Sequence, residues 1–279
     1  MKPSFSSLSE SDLALDRHRT APDKKGVFYR EARMGGVLFS ALTVGQEAVH
    51  LHKPCGRYLS LCFSPPSLWS EEEREEVTLA LRLALDAFLG SPGRVLVAGL
   101  GNRRLTADSL GPRAADGVSA TASLPSALLA KFGAAARTEV AVSVPDVFAK
   151  TGIESVRTVE AACALSSAEA LLALDALATS EKERLLCTVE ITDTGTVPGG
   201  GVKRGKDALT RERLGIPAVS LGVPTVMRAG EEHFLVPRDL EDGIDALAKT
   251  ISRAIDLTFG EAPPSVDFCV ESLFSTTNM

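Results

Sequence analysis

The chain has 279 residues, of which 44% are hydrophobic and 24% charged, and its net charge is −6. This composition is typical of a globular protein long enough to bury a sizeable core. Acids outnumber bases and no run of lysine or arginine occurs, so we expect no direct nucleic-acid partner. We also expect no membrane partner and no secretory signal, because no apolar run reaches membrane-spanning length and serines and acids follow Met1-Lys2.

The five cysteines are scattered and show no C-x-x-C pair or other spacing typical of a metal site. An odd number of isolated thiols fits a reducing, cytoplasmic compartment, in which cysteines pack as small core residues. We therefore expect no metal and no cofactor. The cysteines are Cys55, Cys62, Cys163, Cys187 and Cys269.

The N-terminal part of the chain predicts a polar arm, three strands and a helix. Residues 1–25 are rich in Ser, Asp, Arg and Lys, which is typical of a mobile arm. Ser70 and Glu73 form a capping-box pattern at the start of a helix that Gly90 ends. The glutamate run therefore marks a helix start and not a metal cluster. Strand-like runs occur at 27–30, 37–44 and 57–63, the first two as a hairpin.

The stretch that follows organises the rest of the chain. The apolar run 95–98 is bounded by turn residues on both sides, which is typical of a strand buried on both faces. Gly99 and Gly101 allow a tight turn into a polar loop that carries Asp108. A proline then suits the first turn of a helix that we place near 112–131.

Strands and helices alternate from there to residue 258, which predicts an α/β fold. We expect a mostly parallel, twisted sheet with helices on both faces, plus the N-terminal β-hairpin region. The domain organisation we expect is an arm at 1–11, a single α/β domain at 12–260 and a peripheral tail at 261–279. The further elements are strands at 139–142, 171–175, 188–191 and 218–221 and helices near 154–165 and 239–258.

Two acids follow or end buried strands of this expected sheet. Asp108 comes after the first and Asp175 lies at the tip of another. If the strands are neighbours, both carboxyls meet at the sheet edge where α/β proteins bind ligands. Two carboxyls in a poorly solvated crevice share a proton, which supplies a base to activate water and an acid for a leaving amine. The alternative is that each acid only caps a turn or helix.

A third acid, Asp193, opens a glycine-rich loop. Asp193-Thr194-Gly195 resembles the D-T-G motif of pepsin-like proteases, but the chain has one copy only and abundant helix. The loop, with Gly199, Gly200 and Gly201, is expected to bind substrate or a developing oxyanion through backbone N–H groups, or to be only a tight connection.

Other catalytic motifs are absent from the sequence. Gly99-Leu100-Gly101 lacks the third glycine of a dinucleotide fingerprint, and neither a P-loop nor G-x-S-x-G occurs. The histidines lie outside every motif, so a Ser–His–Asp or zinc enzyme has no support. They are His18, His50, His52 and His233.

Several long motifs, in this order, resemble the spore germination protease family. They are DLALD, GLGNRRLTADSLGP, TGIES, LLALDALA, ITDTGTVPGGGVKRGKDALTRERLGIP, LGVPTV and FLVPRDLEDGIDAL. The resemblance covers residues 11–258. It implies an endopeptidase that degrades small acid-soluble spore proteins at germination, in the cytoplasm of the spore core. It also implies a homotetramer and a zymogen with a short N-terminal propeptide.

The resemblance further implies a phosphorylase/hydrolase-like fold shared with hydrogenase maturation peptidases, and an atypical aspartic mechanism without metal. The family's two essential aspartates correspond to Asp108 and Asp175. Residues expected to support the site are Gly99, Gly101, Asn102 and Glu154.

The sequence departs from the family pattern in three places. The segment between G-V-P-T and the last helix is short, Arg103 replaces an aromatic residue, and the tail after Gly260 has no counterpart. Two alternatives remain. A hydrogenase-maturation-type processing peptidase would need a nickel-binding histidine, and none occurs between His52 and His233. A non-catalytic peptide-binding relative would have no need for both aspartates.

Overall fold

The protein is described by a computed structural model that covers residues 11–124, 138–199, 207–229, 233–262 and 264–275. The strands are β1 (Val27–Met34), β2 (Val37–Val44), β3 (Gly56–Cys62), β4 (Arg94–Gly99), β5 (Glu139–Ser143), β6 (Ala170–Thr179), β7 (Thr188–Thr192), β8 (Ala218–Arg228) and β9 (Phe234–Leu235). The α-helices are α1 (Ala14–Thr20), α2 (Glu71–Leu89), α3 (Leu110–Gly117), α4 (Phe148–Thr151), α5 (Ser155–Ser166), α6 (Arg211–Leu214) and α7 (Leu240–Gly260).

All nine strands described form one sheet in the order β1-β2-β3-β7-β8-β6-β4-β5, with β9 beside β8. The α/β class is confirmed, but the sheet is mixed rather than mostly parallel. Strands β8, β6, β4 and β5 are parallel, whereas β1, β2, β3 and β7 pair antiparallel. Strand β7 runs antiparallel to β6 and β8 because its connection from β6 is short, whereas a parallel return needs a crossover of about a dozen residues or more.

Helices cover both faces of the sheet, as expected from the sequence. Helices α2, α3 and α7 pack on one face and bury the largest apolar cluster. Helix α5 covers β4 and β6 on the other face, and α1 covers β2 and β3. The predicted cap of α2 is confirmed: Ser70 accepts from the Glu73 N–H, and the Glu73 carboxylate accepts from the Ser70 N–H.

Two elements end elsewhere than expected. Helix α3 stops at Gly117, because the N–H and hydroxyl of Ser119 both bond the Asp256 carboxylate on α7 at 2.9 and 2.8 Å; residues 125–131 of the predicted helix lie outside the described residues. Strand β6 continues past Asp175 to Thr179, because β8 keeps pairing with it as far as Met227. Asp175 therefore lies within a strand rather than at its tip.

The two ends of the described chain pack against the domain. Ser11 is fully buried and its hydroxyl bonds Asp16 at 2.6 Å, while residues 1–10 of the expected arm lie outside the described residues. In the expected tail, Val270 and Leu273 are buried, and Phe268 stacks on Phe39 with 4.7 Å between ring centroids. Within the residues that the structure describes, no helix has both the length and the apolar composition to cross a membrane.

Candidate active site

The loop after β4 positions Asp108. Gly101 adopts a φ of +115°, and a Cβ at this position would collide with the Asp108 carbonyl oxygen. The chain can therefore fold back so that the Asn102 N–H donates to Asp108 Oδ2 at 2.8 Å. The Thr225 hydroxyl on β8 bonds the Ala107 carbonyl at 2.6 Å and fixes the far side of the turn. These contacts place the Asp108 carboxyl in a chamber that the C-terminal half of β6 also lines.

Strand β6 and helix α3 position Asp175. The Ala176 N–H donates to Asp175 Oδ1 at 2.9 Å, which restrains the carboxyl. Gly111 of α3 lies directly on the sheet, since a Cβ there would collide with the carbonyl oxygens of Leu100 and Leu174. The Leu100 N–H in turn donates to the Leu174 carbonyl at 2.8 Å. The helix that follows Asp108 and the strand that carries Asp175 are thus in backbone contact.

The two carboxyls line one cleft with two chambers. The larger chamber, about 360 Å³, is mostly apolar and contains both Asp108 and Asp175. The smaller chamber, about 300 Å³, also reaches Asp175 and is lined by polar groups that include Lys53 and Glu190. Asp12 lines both chambers. Asp175 therefore lies where the two chambers meet.

Burial changes the acidity of both aspartates. Burial raises the pKa of Asp175 to about 8, and the negative charges of Asp108 and Asp12 add to this effect. The hydrogen bond from the Ala176 N–H opposes it. Burial also raises the pKa of Asp108, although the Asn102 N–H stabilises its carboxylate. At neutral pH the pair therefore combines a protonated Asp175 with a more acidic Asp108.

The Asp193 loop lies beside the smaller chamber, and Asp193 itself is engaged elsewhere. Its Oδ1 accepts from the Arg57 N–H at 2.8 Å and its Oδ2 from Arg57 Nε at 2.7 Å. Gly195 has a φ of +76°, and its carbonyl accepts from the Ser220 hydroxyl at 3.1 Å. Thr194 and Gly195 line the smaller chamber and Gly199 the larger one. Gly200 and Gly201 lie outside the described residues.

The supporting residues named from the sequence divide into two groups. Gly99, Gly101 and Asn102 form the turn that places Asp108; a Cβ at Gly99 would come within 2.5 Å of the Gly111 carbonyl oxygen. Glu154 is exposed at the N-terminus of α5 and lines neither chamber. Its side chain makes no capping hydrogen bond, so Glu154 is the N-cap residue of α5 by position alone and has no contact with the cleft.

Sequence reasoning missed several charged residues of the cleft, among them Asp12, Lys53 and Glu190. The Lys53 ammonium lies 4.0 Å from Glu190 and bonds the Asp12 carbonyl oxygen. Burial lowers the pKa of Lys53 and raises that of Glu190, although their opposite charges oppose both shifts. A signal for Glu190 was present, because an acid within a strand predicted to be buried requires a partner. In the described part of the chain, no group of three or more metal-ligating side chains occurs.

Comparison with known proteins identifies the family of this chain. The family model described as "Germination protease" matches residues 8–255. The chain belongs to the germination protease family. Relatives with this name are 33% identical in Caldanaerobacter subterraneus subsp. tengcongensis, 32% in Bacillus subtilis and 30% in Priestia megaterium.

The aligned regions cover 78%, 79% and 80% of this chain and 69%, 62% and 62% of the three germination proteases, so the chain spans about two thirds of their length. Among solved structures, the [NiFe] hydrogenase maturation protease HycI from Thermococcus kodakarensis KOD1 is similar, with 16% identity and a TM-score of 0.39 over 62% of this chain and 99% of that one.

For this germination protease family member, we expect Asp193→Asn to retain cleavage activity within about tenfold of the parent chain. Asparagine keeps the oxygen that accepts from the Arg57 N–H and loses only the partly exposed ion pair, which contributes about 0–1 kcal/mol. The measurement is the cleavage rate, with circular dichroism to verify folding. Asp256→Asn, which changes a carboxylate bonded to Ser119 away from the cleft, is the matched control. Inactivity of a folded Asp193→Asn variant would show that this acid belongs to the chemistry.

Proposed function

We propose that this chain is an endopeptidase that degrades small acid-soluble spore proteins during germination, and that Asp108 and Asp175 activate the attacking water. The observation that carries the proposal is that both carboxyls line one chamber and both have raised pKa values. Perturbed carboxyls that converge in a cleft are characteristic of acid–base catalysis. Membership of the germination protease family supports the substrate class.

In this mechanism the ionised Asp108 is the general base. Its carboxylate takes a proton from a water molecule as the water oxygen attacks the scissile carbonyl carbon. Asp175, protonated up to about pH 8, donates its proton to the leaving amine nitrogen as the C–N bond breaks. Transfer of the proton from Asp108 to Asp175 through solvent then restores the pair. No metal or cofactor takes part in these steps.

The apolar lining of the larger chamber supports this division of roles. Leu105, Val197 and Phe234 line the chamber that contains both carboxyls. A poorly solvated site strengthens the interaction between the two carboxyls and holds a proton between them. We assign the loop of Thr194, Gly195 and Gly199, with Gly200 and Gly201, to substrate or oxyanion binding, because its described glycines line the cleft. Asp193 holds the start of this loop through Arg57.

Family membership supports three further parts of the proposal: a homotetrameric assembly, activation by loss of an N-terminal propeptide, and action in the spore core. The contact of Asp12 with β6 bears on the second part. Asp12, in the segment that would follow a propeptide, lines both chambers. Cleavage just before this segment would therefore change the chain directly beside the aspartate pair.

The experiment that tests the function is incubation of the purified chain with a small acid-soluble spore protein, followed by mass spectrometry of the fragments. We expect discrete internal cleavages that are lost in Asp108→Asn and unchanged by a strong chelator. Loss of cleavage with chelator, restored by a divalent ion, would support a metal-dependent processing peptidase instead. Binding of the spore protein without any fragment would indicate a non-catalytic relative.

A further inference from the structure

The edge of strand β6 that faces β4 is bonded at two separate places. Strand β4 pairs with it as far as Leu174, and the chain of β4 then turns away at Gly101. The same edge is covered again at Ala178, where Asp12 bonds it. Between these two contacts lies Ala176, which neither β4 nor Asp12 reaches.

The backbone of Ala176 points into this gap. Residues of a strand in a parallel sheet bond alternately to the neighbours on either side. The Leu171 N–H bonds the Pro217 carbonyl beside β8, whereas the Leu174 carbonyl bonds the Leu100 N–H beside β4. By this alternation Ala176 faces the β4 side. Its N–H is taken by the Asp175 carboxyl, so its carbonyl oxygen is the acceptor presented to the gap, where Ala176 lines the larger chamber.

The chain itself shows that this edge accepts a backbone donor from another segment, because Asp12 bonds it just before helix α1 begins. The Asp12 N–H donates to the Ala178 carbonyl at 2.8 Å, and Asp12 Oδ2 accepts from the Ala178 N–H at 2.8 Å. Leu13, the next residue, has extended backbone angles, with φ −78° and ψ 132°. Lys53 and Glu190 anchor this segment through bonds to the Asp12 carbonyl and the Ala14 N–H. The segment therefore occupies one position of the edge, and among the residues that the structure describes no backbone bond fills the next position, at the Ala176 carbonyl.

We propose that the gap beside Ala176 binds the main chain of the substrate. The substrate lies as an extended segment along β6, between Leu100 and Asp12, and one of its N–H groups donates to the Ala176 carbonyl oxygen. This inference rests on the proposed function and adds how the peptide is held. Strand addition of this kind binds through backbone groups. It places a substrate peptide unit next to Asp175, whose carboxyl is fixed by the adjacent N–H.

The test uses a peptide that spans a cleavage site identified by mass spectrometry. Analogues carry a single N-methyl group at each of the positions around the scissile bond. We expect one analogue to lose about tenfold or more in kcat/KM, because its N-methyl group removes the hydrogen bond to the Ala176 carbonyl oxygen. Its immediate neighbours, whose N–H groups point away from β6, should lose markedly less.

A backbone ester at the sensitive position is the matched control, because it removes the N–H without adding bulk. The ester analogue should show the same loss as the N-methyl analogue. If the parent peptide is cleaved, then equal cleavage of all analogues, or normal cleavage of the ester, overturns the proposed docking position. A parent peptide that is not cleaved at all overturns the proposed function and this inference together.

Discussion

Asp108→Asn and Asp175→Asn should each reduce peptide cleavage by about 10²–10⁴-fold while leaving the fold intact. Asparagine is nearly isosteric with aspartate, so neither substitution should disturb packing, yet an amide can neither accept the proton of water nor donate one to an amine. Because the two carboxyls act as one unit in the same chamber, the double variant should be no slower than the slower single variant. The measurement is kcat/KM for the parent chain and the three variants.

Circular dichroism and binding of an uncleaved peptide show whether each variant remains folded with an intact cleft. Asp193→Asn is the control, because Asp193 lies near the same cleft and its carboxylate bonds Arg57. Multiplicative losses in the double variant would mean that the two aspartates act independently. Cleavage by a folded Asp175→Asn variant at the parent rate would remove Asp175 from the mechanism.

Asp175→Asn should also be more stable than the parent chain at neutral pH, by about 2–4 kcal/mol. The pKa of Asp175 is raised from 3.8 to about 8 in the folded protein. Between these pH values the folded state holds a proton that the unfolded state has released, so the stability of the parent chain falls as pH rises. Asparagine has no proton to lose, and it avoids this cost. Below about pH 4 the free energy of unfolding should depend on pH equally in the two chains. Above about pH 8 the difference between their free energies of unfolding should stop growing.

Urea unfolding at a fixed protein concentration, measured from about pH 3 to about pH 9 so that it brackets both pKa values, checks this prediction. Asp193→Asn is the matched control for the same substitution at a carboxyl that bonds Arg57. A constant difference between Asp175→Asn and the parent chain over the whole pH range would mean that Asp175 is ionised in the folded protein. Asp175 would then be unable to act as the acid.

The sequence predicted the two aspartates because their signal is local. Asp108 follows a short apolar run closed by glycines, and Asp175 follows another such run. The α/β class followed from the alternation of strand and helix patterns. The start of α2 was also predictable, since a capping box needs only residues three apart.

The remaining features depend on contacts between distant parts of the chain. Strand β6 extends past Asp175 because β8 pairs with it there, and no local propensity shows that pairing. The mixed sheet depends on where β7 inserts, between β3 and β8. Asp12 reaches the cleft through a bond to Ala178, which lies far away in the sequence. A pattern within one segment carries no information on such partners.

The contact of Gly111 with the backbone of Leu100 and Leu174 determines how the catalytic geometry responds to motion. Asp108 lies just before this helix and Asp175 directly follows Leu174, so we expect the packed helix and strand to move together and to carry both carboxyls with them. Fluctuations of the surrounding loops change access to the cleft and leave the separation of the pair unaltered. That separation is lost only when α3 leaves the sheet, which exposes the main core. We therefore expect heat to inactivate the proposed acid–base pair only when the whole protein unfolds.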